Sequence, residues 1–134
     1  MSNRSNYLRS ALQNHWTGKT AFAQPTLYAA LCTVLPTSAS TGATIVEATY
    51  TGYARIAIPA ASLNASAAGG AMTNAAIIAW PACTGSTSAV VAVALVDSIT
   101  IGAGNMLDFM ASSLSVVNGV TPQLQIGGLT LQEL

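Results

Sequence analysis

Charge is what this sequence has least of. Among 134 residues there are four Lys or Arg and four Asp or Glu, 6% in all, with no formal net charge, where an average soluble domain has roughly a quarter of its residues charged. Nucleic-acid binding needs a basic patch that displaces counterions from phosphates. Arg4, Arg9, Lys19 and Arg55 are too few and too dispersed to form one. Long apolar runs are missing as well. No stretch reaches the roughly 20 residues that cross a bilayer as a helix, and Met1 to Tyr7 hold no apolar run of signal-peptide length. The expectation is a chain that stays in the cytoplasm where it is made, with neither a membrane nor a nucleic acid as partner. Cys32 and Cys83, set among small or apolar neighbours, are then expected to be thiols acting as small hydrophobes.

Catalytic equipment is equally scarce. The acids and bases are His15, Glu47, Asp97, Asp108 and Glu133, and the strongest nucleophile candidates are the two cysteines. A hydrolase needs a base beside its nucleophile and a third group to orient that base. The only histidine lies in the N-terminal segment, outside the main body, where packing or capping is the simpler role. No two ligand-type residues share the close spacing of a zinc site. The reading is therefore no enzyme, no catalytic residue, no cofactor and no metal.

What remains is small, apolar and uncharged, and it is organised around one stretch. Ala89-Val90-Val91-Ala92-Val93-Ala94-Leu95-Val96 is an unbroken apolar run, opened by Thr84-Gly85-Ser86-Thr87 and closed by Asp97-Ser98. A strand with one wet face alternates apolar with polar, so this run predicts a strand covered on both faces. Pro25 to Pro36 predicts a second long strand beside or opposite it. Weaker strands are predicted at 49–58, broken at Gly52, and at 73–81, 106–110, 123–126 and 129–131. A hairpin is expected at Asn118-Gly119. Eight or nine short strands with frequent turns indicate a mainly β chain, an antiparallel β-sandwich or jelly roll with an N-terminal helix.

The helix is predicted from Ser2 or Asn3 to about Trp16, where Tyr7, Leu8, Ala11, Leu12, His15 and Trp16 recur at helical spacing; Ser2, Asn3 or Ser5 caps it and Thr17-Gly18 ends it. Residues 1–20 carry three of the four basic side chains. They are expected to form an arm on a single sandwich domain of residues 21–134, with Tyr7, Leu8, Arg9, Leu12 and Trp16 as partner-binding anchors in a groove of an acidic protein. The alternative is that the same stripe covers the end of its own sandwich. Arg55, alone on a strand, either meets Glu47, Asp97 or Asp108 or is a solvated surface side chain.

A surface of Ser, Thr, Asn, Gly and Ala suits a subunit whose neighbours cover much of it, because such residues pack closely with no ions to desolvate. The order of motifs agrees. Leu27-Tyr28-Ala29-Ala30-Leu31-Cys32-Thr33, then Pro36-Thr37, a small-residue loop, Glu47 and Gly52-Tyr53-Ala54-Arg55 are followed by Ala79-Trp80-Pro81-Ala82, Leu95-Val96-Asp97 and Gly128-Leu129-Thr130. This order resembles small proteins of tailed-bacteriophage virion gene clusters, with Trp80 in place of their Phe. The resemblance implies a virion component, described for such proteins as tail-fibre, minor tail or capsid decoration (cement) protein, and it carries over no catalytic residue. A compact β body with a helical arm and few charges is the description of a cement protein. The expectation is thus a structural capsid decoration protein stabilising a bacteriophage head, with the major capsid protein and copies of itself as partners. A tail or tail-fibre-associated structural protein is the alternative.

Overall fold

A computed structural model describes residues 2–66 and 70–132. Its centre is the Val-rich run, which forms strand β6 (Ser88–Val96). One neighbour is β2 (Tyr28–Cys32), in antiparallel register from Tyr28↔Val96 to Cys32↔Ala92. The other is β7 (Met106–Val116), the longest strand among the described residues. β1 (Ser2–Arg4) and β3 (Ile56–Ala57) complete a five-stranded antiparallel sheet in the order β1-β7-β6-β2-β3. Two short ladders, β4 (Ala71–Thr73) with β9 (Thr130–Gln132) and β5 (Ile78–Ala79) with β8 (Gln123–Leu124), make the rest. The expected class holds: a mainly β, antiparallel sandwich with one N-terminal α-helix.

β6 is covered on both faces, as a run without polar residues demands. Val90, Val93 and Leu95 join Ala29, Leu31, Met110 and Val116 against Ile78, Trp80, Leu124 and Leu129 from the second layer. Ala92, Ala94 and Val96 point the other way with Ala30, Cys32, Met106 and Phe109, under Tyr28 and Ile45. A bulge between Val90 and Ala92 turns Val91 outward, 39% exposed. Cys32 and Cys83 are buried thiols.

Five sequence expectations need correction. Helix α1 runs Asn6–Trp16, so it starts later than Ser2 or Asn3. Ser2–Arg4 instead pair with Met110, Phe109 and Asp108 of β7, because Ser and Asn are weak helix formers and a free strand edge offers their backbone a ladder. The strand predicted over 25–36 keeps only its middle five residues, Tyr28–Cys32. The strand predicted at 73–81 divides into β4 and β5, since the fully buried Asn74 turns the chain between them: its Nδ2 donates to the Ala76 and Gln125 carbonyls and its Oδ1 accepts from Leu129 N–H. The Asn118-Gly119 turn exists, but Gly119 N–H donates to Cys83 O and the strand that follows, β8, pairs with β5 rather than returning along β7. The strand predicted at 123–126 ends at Leu124, and Ile126 beyond it is 66% exposed.

Candidate functional site

Two places gather the residues that the sequence singles out. The first is α1. Ser5 is its cap, extended at φ −69°, ψ 158°, with Oγ accepting from Leu8 N–H at 3.1 Å. Ser5 N–H and Asn6 N–H donate to Leu107 O and Ser38 O, which fixes where the helix leaves the sheet. Thr17 ends it, donating through N–H and Oγ1 to Gln13 O, and Gly18 follows at φ +73°. His15 Nδ1 accepts from Phe22 N–H at 3.1 Å, so the only histidine fastens the returning chain. No residue of α1 is buried. Of the five proposed anchors, Leu8 and Leu12 are half-buried, while Tyr7, Arg9 and Trp16 are exposed, Trp16 by 75%. Leu8 lines a cleft of the body with Arg4, Leu27, Leu107 and Leu131. Tyr7 instead lines a 290 Å³ cleft with Ala11, Asn14, Ala21 and Phe22. The predicted stripe is thus divided, one side resting on the body and the other open.

The second place is Arg55, which is 3% exposed. All five guanidinium donors are used. Nε and Nη2 meet Glu47 Oε1 and Oε2 at 3.0 and 2.8 Å; Nη2 also donates to Gly42 O, and Nη1 donates to Ser98 O and Ala103 O, at 2.8 to 2.9 Å. Tyr53 Oη donates to Glu47 Oε1 at 2.6 Å and accepts from Leu31 N–H at 3.1 Å. One cation therefore ties the segment leading into β3 to the loop at Gly42 and to both ends of the loop 98–103. Of the three acids expected to meet Arg55, Glu47 is its ion-pair partner; Asp97 instead accepts from Asn105 N–H and Nδ2. Burial raises the Tyr53 phenol far above its ordinary range, and its bond to the Glu47 carboxylate adds to the effect. Burial likewise pushes the Cys32 thiol up to about 12, with Glu47 contributing. Neither group is poised for chemistry near neutral pH.

Small residues make this closure possible. A Cβ on Gly42 would overlap the carbonyl oxygens of Ala103 and Gly104, and Gly42 N–H donates to Gly104 O at 2.9 Å. Gly104 sits at φ +85°, where an added Cβ would meet Asp97 Oδ1 and Ser98 Cβ at 2.6 Å. Glu47, Tyr53, Arg55 and Asp97, scattered through the sequence motifs, thus serve one latch. Sequence reasoning saw the charged members but missed the three carbonyls, because backbone acceptors have no residue signature. Among the described residues no three His, Cys, Asp or Glu side chains are grouped to hold a metal ion. Glu133 lies outside the described residues.

The latch residues recur in the order that resembles phage virion proteins, and the comparison with families decides the matter: the model described as Podophage GP4 fiber I protein gp80 matches residues 3–132. The chain belongs to this fibre I protein family. It is a structural protein of a bacteriophage, of a fibre-related kind. No curated protein matches the chain. The fibre I match takes in α1 and the strands from Asn3 to Gln132.

Proposed function

We propose that the chain is a tail-fibre-associated structural subunit of a bacteriophage virion, attached to its neighbour through the open side of α1. The observation that carries the fibre role is the family match over residues 3–132. Capsid decoration, the role expected first from the sequence, has only the resemblance and the composition behind it, and both serve a fibre subunit equally. The tail-associated alternative therefore takes its place.

Attachment through α1 rests on its exposure. Tyr7 and Trp16 are large aromatic side chains left outside the core, and such residues dominate binding where they enter a partner's pocket. Arg9 and Lys19 are exposed beside them, which favours an acidic neighbour. The role is structural throughout: the site offers shape, apolar area and positive charge.

Electron microscopy of intact particles tests the location. Density or antibody label for this chain confined to the tail is the expected result. Label repeated over the capsomers would overturn the fibre role and restore decoration. Attachment is tested separately with Trp16→Ser and Arg9→Glu. Because β1 belongs to the sheet, these changes are cleaner than deleting residues 1–20.

A further inference from the structure

Hydrogen bonding divides the N-terminal part of the chain into an arm and a joint. After α1 the backbone N–H groups turn back onto the helix: Thr17 donates to Gln13 O, Gly18 to His15 O, Lys19 and Thr20 to Asn14 O, and Phe22 to His15 Nδ1. The returning segment therefore belongs to the helix rather than to the sandwich. Next come Ala23, Gln24, Pro25 and Thr26, which make no hydrogen bond among the described residues, and the bonding of the body begins at Leu27, whose carbonyl accepts from Ile58 N–H. Residues 2–22 are thus one piece, joined to the rest by an unbonded stretch.

That piece docks on the body through backbone groups. Ser2, Asn3 and Arg4 pair with Met110, Phe109 and Asp108 along one edge of β7, while Ser5 and Asn6 N–H donate to Leu107 O and Ser38 O at 2.9 and 2.7 Å. The helix adds no buried residue of its own. We propose that the arm 2–22 is exchanged between copies of the chain, so that β1 and α1 of one copy dock on β7, Leu107 and Ser38 of the next. The occupant of this dock is on view, because the segment lying on it is the chain's own and every copy carries the same one. Exchange keeps each docking bond and alters only the joint at 23–26. What favours the chain's own arm is proximity, which for a short linker amounts to an effective concentration in about the millimolar range. Copies packed side by side in an assembly meet that condition.

The inference rests on the reading of the chain as a subunit whose copies stand together, and it is tested on purified protein, so its failure leaves the location in the particle untouched. Asn6→Cys and Ser38→Cys are combined in one chain and treated with a short bismaleimide. Asn6 is exposed and Ser38 half-buried, and Cys32 and Cys83 do not interfere because both are buried. An arm on its own body gives an internally linked monomer, whereas an exchanged arm gives linked dimers and multimers. The expected result is the monomer at micromolar protein, giving way to multimers for about half of the chains near the millimolar range. Asn6→Cys alone reports chance collisions and is expected to give at least tenfold fewer dimers. The mass of the unsubstituted chain in solution is expected to rise over the same range. An internally linked monomer at every concentration, multimers no more frequent than those of Asn6→Cys alone, or an unsubstituted chain that stays monomeric would each overturn the proposal.

Discussion

Arg55 and Arg9 are the same side chain in contrary settings. Arg55 has five donors and five acceptors inside the protein, and its removal opens a strand edge and two loops at once. Arg9 lies on a helix none of whose residues is buried. In a chain with eight formal charges, the difference teaches how a scarce resource is divided: one pair is sealed inside to fix the fold, while Arg9 and Lys19 stand exposed on the surface.

The largest break in that comparison is Arg55→Met. It leaves Glu47 buried without its cation and three carbonyls without donors, so a loss of about 3–5 kcal/mol is expected in denaturant titration. A change within error would remove the latch from the account. Asn74→Ala should come next, at about 2–3 kcal/mol, since it orphans Leu129 N–H and two carbonyls at the centre of the second layer. At the other extreme Trp16→Ser should alter stability by less than about 0.5 kcal/mol while abolishing attachment; a large drop in melting temperature would show that the helix serves its own core.

Alkaline pH sharpens the same contrast. Cys32 and Tyr53 both have folded pKa values raised above their unfolded ones, Cys32 from 9.0 to about 12. The unfolded chain then loses these protons first, and stability present below pH 9 falls as pH rises from about 9 to 12. Tyr53→Phe, costing about 1–2 kcal/mol at neutral pH for the two bonds lost, should flatten that slope. The expected signature is convergence of the two stability curves at high pH, read by urea midpoints. Parallel curves would contradict the burial of the phenol.

Part of the fold was legible beforehand. Eight apolar residues in a row made β6 a central strand, and a lone Arg in so neutral a chain left an ion pair as one of two readings, which the bond to Glu47 decides. The helix was legible from the spacing of Tyr7, Leu8, Leu12 and Trp16. Its start was not, because whether Ser2–Arg4 coil or pair depends on the free edge of β7, far away in sequence. Asn74 and Trp80 were hidden for a similar reason. Their partners, Gln125 O and Leu129 N–H for one and Ala29 O for the other, are backbone groups about 50 residues distant. The role divided likewise. Charge shortage and motif order pointed to a phage structural protein, but nothing in composition separates a fibre subunit from a cement protein, since both need neutral, closely packed surfaces.

The most direct test of the central claim, that the open side of α1 attaches the subunit while the latch holds its fold, is incorporation of a Trp16→Ser, Arg9→Glu protein into particles during infection, measured by quantitative blotting of purified virions. The account predicts a variant that melts like the wild type, accumulates in the lysate as soluble folded protein and is absent from the particles. Wild-type amounts of the variant in purified virions would contradict it.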